Sequence, residues 1–179
     1  IGQQVGLATS DVGVTYQLFN SGTPVGTPMS GTGAALNFGY QTAAGTYTIV
    51  GTNIATSCLN SMTGSAIITV NPLPTAYSVT LSGTGSYCAG GTGVNVILSG
   101  SDIGVSYLVY RNGISTGVSL SGTGLPLNFG LFTLAGNYTV IATNTTTFCT
   151  RTMSGSPALS IDPLPTVFLV TGGGAYCAG

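Results

Sequence analysis

The stretch of sequence that decides the fold is Val105-Ser-Tyr-Leu-Val-Tyr-Arg-Asn-Gly-Ile-Ser-Thr-Gly-Val-Ser-Leu120. Apolar and polar residues alternate on both sides of Arg111-Asn112-Gly113, and a period of two is the pattern of β-strands. Asn-Gly is the pair that a tight hairpin turn with positive φ prefers. The stretch therefore predicts two strands joined by a short turn, and Asn20-Ser21-Gly22 has the same place in the first half of the chain.

The pattern occurs twice because the chain contains an internal repeat with a period of 91 residues. Asp11-Val-Gly-Val-Thr-Tyr16 aligns with Asp102-Ile-Gly-Val-Ser-Tyr107, and nearly half of the positions aligned at this offset are identical. Ser86-Tyr-Cys-Ala-Gly90 recurs as Ala175-Tyr-Cys-Ala-Gly179, which marks the beginning of a further unit. We expect a window on a tandem array: residues 1–74 as a repeat without its opening strand, 75–165 as a second repeat, and 166–179 as the opening strand of a third.

Each repeat is predicted to be a β-sandwich, because its short apolar runs are bounded by Gly, Asn, Ser and Pro and no stretch has a convincing helical period. Strands are predicted in the second repeat near residues 94–99, 104–110, 114–120, 125–129, 136–143 and 157–161, with 166–171 opening the next unit. About seven strands in some 90 residues is the profile of an immunoglobulin-like domain. The predicted fold class is all-β, with tandem immunoglobulin-like β-sandwich domains of about 91 residues.

Two residue types recur at fixed places in the repeats and are predicted to be structural. Tyr47 and Tyr138 stand at the start of the penultimate strand, where sandwich domains commonly anchor the phenol oxygen on nearby backbone. Asp11 and Asp102 lie in a turn between strands, where an Asp side chain is expected to cap its own backbone.

Pro-Leu-Pro-Thr follows each repeat and is predicted to be a linker. Proline fixes φ and favours extended backbone in the preceding residue. Pro72, Pro74, Pro163 and Pro165 therefore predict short and stiff connections between consecutive domains.

The poverty of charge excludes most chemistry. The 179 residues include only two Lys or Arg, three Asp or Glu, and no His. Such a chain lacks most of the groups used in acid–base catalysis, phosphate capture and nucleic-acid binding. No run of apolar residues is long enough for a membrane-spanning helix. We expect no enzymatic activity, no cofactor, no metal site, no nucleic-acid partner and no membrane insertion.

The four cysteines form two classes: Cys88 and Cys177 lie in the Tyr-Cys-Ala-Gly elements, and Cys58 and Cys149 follow the predicted corner Tyr of each repeat by about eleven residues. Paired cysteines in a β-rich chain point to an oxidising, extracellular compartment. Three pairings are open. The first joins Cys88 to Cys149 within one repeat and leaves Cys58 and Cys177 to partners outside the chain; its difficulty is that the first turn and the last hairpin of a sandwich lie at opposite ends. The second joins the first-turn Cys of one repeat to the last-hairpin Cys of the next, and the third joins Cys58 to Cys88 and Cys149 to Cys177.

The Tyr-Cys-Ala-Gly-Gly-Thr-Gly-Val, Ala-Gly-Asn-Tyr-Thr-Val-Ile-Ala-Thr-Asn and Pro-Leu-Pro-Thr strings resemble the tandem immunoglobulin-like repeats of giant surface proteins of Bacteroidota. Such repeats occur in gliding-motility adhesins and related surface filaments exported by the type IX secretion system. The resemblance covers essentially the whole chain. It implies an immunoglobulin-like fold, a location outside the cell or on the bacterial cell surface, and a structural or adhesive role.

The function expected from the sequence is that of a structural, non-catalytic shaft in a secreted surface adhesin or extracellular filament. Its expected partners are neighbouring repeats or copies of itself, since a nearly uncharged surface offers little repulsion against self-association. The alternatives are a module that binds surface polysaccharide or other cells, and a spacer in a secreted multidomain enzyme. Exposed Tyr residues would favour binding, whereas the strand pattern around Tyr16, Tyr47, Tyr107 and Tyr138 favours a core position for them.

Overall fold

A computed structural model describes residues 2–178, which divide into one compact unit ending at Asn71 and another beginning at Pro72. All regular elements in this range are β-strands, in agreement with the predicted class, and the range holds no helix of the length and hydropathy that a membrane span requires. The strands of unit 1 are β1 (Gln3–Leu7), β2 (Val14–Asn20), β3 (Thr23–Ser30), β4 (Leu36–Gln41), β5 (Gly45–Asn53), β6 (Leu59–Ser61) and β7 (Ala66–Ile68). Those of unit 2 are β8 (Val79–Leu81), β9 (Ser86–Cys88), β10 (Val94–Leu98), β11 (Val105–Arg111), β12 (Ile114–Ser121), β13 (Leu127–Phe132), β14 (Gly136–Asn144), β15 (Thr150–Thr152) and β16 (Ala158–Asp162).

Unit 2 is a sandwich of two sheets. One sheet has the strand order β13-β10-β8, and the other has the order β12-β11-β14-β16-β9, with β15 paired to β14. The first two strands of the unit therefore divide between the sheets, β8 joining one and β9 the other. This two-sheet arrangement, with the long central pair β11 and β14, is that of an immunoglobulin-like β-sandwich.

The core of unit 2 follows from the alternation in its strands. In β10, β11 and β14 every second residue is buried, which places one face of each strand between the two sheets. Val96, Leu98, Tyr107, Tyr138 and Val140 are fully buried there. Both Tyr107 and its counterpart Tyr16 lie in core clusters, as the strand pattern predicted.

Unit 1 repeats this arrangement without the two opening strands. Its sheets are β1-β4 and β3-β2-β5-β6, with β7 also paired to β5. At the 91-residue offset, β1 corresponds to β10, and β7 corresponds to the beginning of β16. Residues 2–71 contain no counterpart of β8 or β9.

The predicted hairpin turns are present in both units. Asn112 and Gly113 have φ values of 51° and 80°, and Ser21 and Gly22 have 49° and 85°. Two successive residues with positive φ form the turn whose twist suits an antiparallel hairpin. The sequence signal and the backbone conformation therefore agree at this position.

Residues 163–178 contain no strand in this structure. Their counterparts in unit 2 acquire strand structure by pairing, since β8 is hydrogen-bonded to β10 and β9 to β16. The corresponding partners in a third repeat would have sequence numbers above 179. The opening strand predicted in residues 166–179 therefore stays a prediction, and Gly179 lies outside the described residues.

Candidate functional site

The chain enters and leaves unit 2 at opposite ends of the sandwich. Arg151, which contacts the incoming linker, pairs with Ala142 near the last residues of β14, whereas Leu159 of the outgoing strand pairs with Gly136, the first residue of β14. At about 3.3 Å per residue, the nine residues of β14 span roughly 30 Å. We call the end that carries Arg151 and Asp102 the clamp end, and the end that carries Asp162 the exit end.

At the clamp end the linker is fastened to the body of unit 2. The backbone N–H of Thr75 donates to Oδ2 of Asp102 at 2.8 Å, and the hydroxyl of Tyr77 donates to Oδ1 of the same carboxylate at 2.7 Å. Nη1 of Arg151 donates to the carbonyl oxygen of Pro74 at 3.2 Å. Three separate contacts thus hold residues 74–77 on the domain that follows them.

The ring of Tyr77 lies against the backbone at Gly100. A Cβ atom built at Gly100 would meet the ring carbons of Tyr77 at 2.4 and 2.6 Å, which no side chain could tolerate without movement. The backbone N–H of Tyr77 donates to Sδ of Met153 at 3.4 Å, and the carbonyl oxygen of Tyr77 accepts from the N–H of Ser154 at 2.8 Å. Glycine at position 100 therefore provides the space in which the linker is held.

The prediction that Asp102 caps its own backbone is wrong. Both oxygens of its carboxylate accept from Thr75 and Tyr77, which lie more than twenty residues earlier in the chain. The turn is instead closed by Tyr107, whose hydroxyl oxygen accepts from the N–H of Asp102 at 2.7 Å. In unit 1 the hydroxyl of Tyr16 accepts in the same way from the N–H of Asp11 at 2.9 Å.

The hydrogen bond from Tyr77 shifts the ionisation of both partners. That bond, together with the one from Thr75, stabilises the charged carboxylate and lowers the pKa of Asp102 below its usual value. The same bond holds the phenol proton and raises the pKa of Tyr77. The contact between the linker and the domain therefore consists of an ionised acceptor and a neutral donor around neutral pH.

The hydroxyls of the two tyrosines at the predicted sandwich corner bond to nearby backbone. The Tyr138 hydroxyl donates to the carbonyl oxygen of Leu134 at 2.6 Å, and the Tyr47 hydroxyl donates to that of Ala43 at 2.9 Å. Both rings are buried, and burial raises the pKa of Tyr138. The two hydroxyls therefore fix the loop before the penultimate strand.

At the exit end the second and last strands of unit 2, β9 and β16, run parallel to each other. Ser86, Tyr87 and Cys88 of β9 pair with Ser160, Ile161 and Asp162 of β16. The N–H of Ala89 donates to the carbonyl oxygen of Asp162 at 2.9 Å, and the N–H of Ser160 donates to that of Gly85 at 3.1 Å. The beginning and the end of the domain are thus hydrogen-bonded side by side.

The cysteine pair Cys88–Cys149 does not fit within one unit. Cys88 pairs with Asp162, beyond the Gly136 end of β14, while the N–H of Asn144 at the other end donates to the carbonyl oxygen of Cys149. The strand register places the two cysteines roughly 30 Å apart, and a disulfide needs Cα atoms within about 7 Å. The predicted pairing of Cys88 with Cys149 within one repeat is therefore wrong for the folded unit. The pairing between consecutive repeats stays a prediction.

The linker prolines differ in their surroundings. Pro74 is buried at the clamp end, whereas Pro72, Pro163 and Pro165 are exposed. Side-chain contacts therefore hold the linker on unit 2, and the stiffness expected from the prolines stays a prediction. The repeat pattern does not single out Arg151, because Asn60 stands at the corresponding position of unit 1.

A groove of about 410 Å³ lies between β12 and β13 and has an apolar lining that includes Phe132, Leu134 and Tyr138. Arg111 is the charged residue beside it, and its Nη1 donates to the carbonyl oxygen of Ala135 at 3.0 Å. The lining is not repeated, since Asn20, Gln41 and Ala43 replace Arg111, Phe132 and Leu134 in unit 1. Within residues 2–178 no cluster of three or more His, Cys, Asp or Glu side chains has the arrangement of a metal site.

Neither a protein-family model nor a curated protein matches this sequence. Among solved structures, the chain is similar to the human OSCAR ligand-binding domain, with 15% identity over 88% of this chain and 90% of that one and a TM-score of 0.37. Fibronectin(III)-like modules of Clostridium thermocellum CbhA match with 13% identity over 89% and 87% of the two chains and a TM-score of 0.35. Immunoglobulin domains 1–4 of Sidekick-1 match with 14% identity over 93% and 45% and a TM-score of 0.34. The immunoglobulin-like assignment made above depends on the strand order of unit 2 and not on these scores.

Proposed function

We propose that this chain is part of a structural, non-catalytic shaft, built of repeated immunoglobulin-like domains, in a large secreted bacterial adhesin or extracellular filament. The observation that carries the proposal is the path of the chain through unit 2. It enters at the clamp end beside Asp102 and leaves at the exit end after Asp162. A repeat of this kind transmits tension from one end of the sandwich to the other and adds its own length to the array.

The fastening at both ends supports a mechanical role. Arg151 and Asp102 hold the incoming linker, so a pull on that linker acts on the folded body rather than on a loose segment. At the exit end, β9 and β16 are parallel, so pulling the two chain ends apart slides these strands past each other. Hydrogen bonds between strands loaded in this direction must break together and not one at a time.

The uncharged surface supports a shaft outside the cell. Two basic side chains in 179 residues leave few sites for trypsin-like proteases, and a net charge of −1 provides little electrostatic repulsion between neighbouring surfaces. We propose neighbouring repeats and copies of the chain as its partners, and the bacterial cell surface as its location. Only the resemblance of the repeats to those of gliding-motility adhesins supports a link to gliding motility and type IX secretion.

The alternative of a module that binds polysaccharide or other cells has less support. The four Tyr residues repeated between the units are buried, and unit 1 lacks three of the residues that line the other unit's groove, namely Arg111, Phe132 and Leu134. The alternative of a spacer in a secreted enzyme shares the mechanical properties of the shaft. It differs in the domains to which the array is attached.

Force spectroscopy of the protein, pulled from its two termini, tests the proposal. We expect a distinct high-force unfolding event for unit 2, and a lower force in an Ala89→Pro variant, which removes the N–H donated to Asp162. The control is a Val167→Pro variant, which places a proline in the strand-free segment and leaves both ends of unit 2 unchanged. Unfolding of both units at forces near the noise level would contradict the proposal.

A further inference from the structure

The groove between β12 and β13 of unit 2 lies on a side of the sandwich that the path of the chain does not use. These two strands are the last strands of their sheets on that side, and the groove has a volume of about 410 Å³, a size that suits a small molecule. In the sheet order, β11 and β14 stand between β12 and β16, the strand through which the chain leaves. Three strand spacings amount to roughly 14 Å, so the link to a following repeat leaves from the other part of the sheet. We call this groove the side groove.

The walls of the side groove are apolar and partly exposed. Ile114 is 74% exposed and Leu134 is 58% exposed. Val118 and Phe132 are half-buried and pack with their inner sides against the core of unit 2. The ring of Phe132 stands edge-on to that of Tyr138, with 5.1 Å between the ring centroids. Exposed apolar side chains grouped around a concave surface indicate a binding site.

The guanidinium of Arg111 lies at the same groove. Its Nη1 donates to the carbonyl oxygen of Ala135 at 3.0 Å, and a Cβ atom at Gly136 would lie 3.1 Å from Cγ of Arg111, so the side chain is held against the backbone. Within residues 2–178 no carboxylate is bonded to this guanidinium. Because an arginine has five N–H donors, several remain for an anion in the groove. Burial raises the pKa of Tyr138 and the charge of Arg111 opposes that rise, so the positive charge acts on the lining of the groove.

The combination of a cation with apolar walls belongs to unit 2 and not to unit 1. Asn20, Gln41 and Ala43 stand in unit 1 at the positions of the lining residues Arg111, Phe132 and Leu134, and Thr23 and Thr27 stand at those of Ile114 and Val118. Each of the five replacements removes the charge or makes the position smaller or more polar. The tyrosine beneath the groove is the same in both units, as Tyr47 and Tyr138. Unit 1 therefore provides a comparison site on the same scaffold within one chain.

The edges of the side groove are poorly suited to an added peptide strand, which binds through free backbone groups. The N–H of Gly117 in β12 donates to the hydroxyl of Ser115 at 3.2 Å, and the N–H of Gly130 in β13 donates to the side-chain oxygen of Asn128 at 2.9 Å. Both glycines have positive φ, 77° and 86°, and irregularities of this kind blunt a sheet edge. A ligand held by side chains therefore fits the groove better than a β-strand.

We propose that the side groove of unit 2 binds an aliphatic monocarboxylate, with the carboxylate on Arg111 and the hydrocarbon chain along Ile114 and Phe132. A guanidinium pairs with a carboxylate through two parallel hydrogen bonds, and the chain gains free energy by leaving water. A sugar ring has less to bind, because the face of Tyr138 is buried beneath the groove. The inference does not depend on the proposed shaft, and either can fail without the other.

Titration of the isotope-labelled 179-residue protein with octanoate, followed by the amide shifts in NMR spectra, tests the proposal. We expect saturable shifts in residues 111–118 and 131–136 and none in their unit 1 counterparts, 20–27 and 40–45. Octan-1-ol has the same chain without the charge and should bind about tenfold more weakly. Shortening the carboxylate should weaken binding about fourfold for each methylene removed.

Three variants separate the contributions of charge and chain. Arg111→Met should lower the affinity for octanoate to that for octan-1-ol and leave the alcohol unaffected. Arg151→Met is the matched control, because it removes the same charge at the clamp end and should leave octanoate binding nearly unchanged. Ile114→Thr installs the unit 1 residue at an exposed position, where the fold is not disturbed, and should weaken both ligands about threefold.

Five outcomes would overturn the proposal. Absence of saturable shifts would show that the groove does not take the ligand, and equal shifts in both units would show unspecific binding. Equal affinities of the parent protein for octanoate and octan-1-ol would remove the role of Arg111. Saturation by acetate at the same concentrations as octanoate would show a site for the anion alone. Shifts of the same amides on dilution without ligand would show that a second copy of the chain occupies the groove.

Discussion

The hydroxyl of Tyr77 donates a 2.7 Å hydrogen bond to Oδ1 of Asp102 and so joins the incoming linker to the turn between β10 and β11. The N–H of Thr75 occupies the other oxygen of the same carboxylate. One Asp side chain therefore accounts for two of the contacts that make the linker part of unit 2. Mutation of Asp102 can remove both of these contacts.

Asp102→Ala should detach the linker from unit 2. Loss of two hydrogen bonds to a charged, partly exposed acceptor is expected to lower the free energy of unfolding of unit 2 by about 1–2 kcal/mol. Hydrogen exchange should become faster at the Thr75 amide. Asp11→Ala is the matched control, because Asp11 makes no such contact within residues 2–178, and its effect should stay within about 0.5 kcal/mol. Equal effects of the two variants would contradict the role given to Asp102.

The hydrogen bonds of Asp102 at the clamp end should contribute to the free energy of unfolding in a way that depends on pH only at the extremes. The folded pKa of Asp102 is lowered from 3.8, so its contribution is present above about pH 4 and is lost as the pH falls through the folded value. The folded pKa of Tyr77 is raised from 10.0, so its contribution is present below about pH 10 and is lost as the pH rises through the folded value. The difference in unfolding free energy between wild type and Asp102→Asn, measured by urea denaturation, should be flat between these limits. A change in that difference near neutral pH would contradict the assignment.

Tyr138→Phe should destabilise unit 2 although it preserves the packed ring. The variant removes the bond from a fully buried phenol to the carbonyl oxygen of Leu134, and we expect a loss of about 1–2 kcal/mol. Chemical denaturation followed by tyrosine fluorescence measures the change. Tyr40→Phe, at a position that is 66% exposed, should leave the free energy of unfolding unchanged. A Tyr138→Phe variant as stable as the wild type would contradict the stabilising role given to the Tyr138 hydroxyl.

Oxidation of the folded protein should not join Cys88 to Cys149 within one molecule. The two residues lie at opposite ends of unit 2, so peptide mapping by mass spectrometry without reduction is expected to find no such link in native monomers. Oxidation after unfolding in denaturant serves as the control and should produce it. A Cys88–Cys149 peptide from monomers with native circular dichroism would contradict the strand register.

The sequence predicted the fold well where the signal is local. The alternation in Val105–Leu120 and the Asn112-Gly113 turn are properties of adjacent residues, and the structure has strands and turn at those positions. The short strands β9 and β15 were missed, because three residues such as Thr-Arg-Thr carry no measurable period.

The contacts at the clamp end could not be predicted because they join residues that are distant in the sequence. Tyr77 meets Asp102 at a separation of 25 residues, and Arg151 meets Pro74 at a separation of 77. The 91-residue repeat gave no help, since Phe168 and Asn60 stand at the positions of Tyr77 and Arg151. Asp102 was correctly singled out as repeated, but the partner of its carboxylate depends on how the opening strand packs.

The length of a tandem array tests the shaft most directly. Residues 72–162 contain one full period and all the strands of unit 2, so they can be joined into arrays of two, four and eight repeats. Small-angle X-ray scattering should show a maximum dimension that grows linearly, by roughly 30–40 Å per added repeat, because the chain crosses each sandwich from end to end. Growth with the cube root of the repeat number, as for a compact particle, would contradict the account.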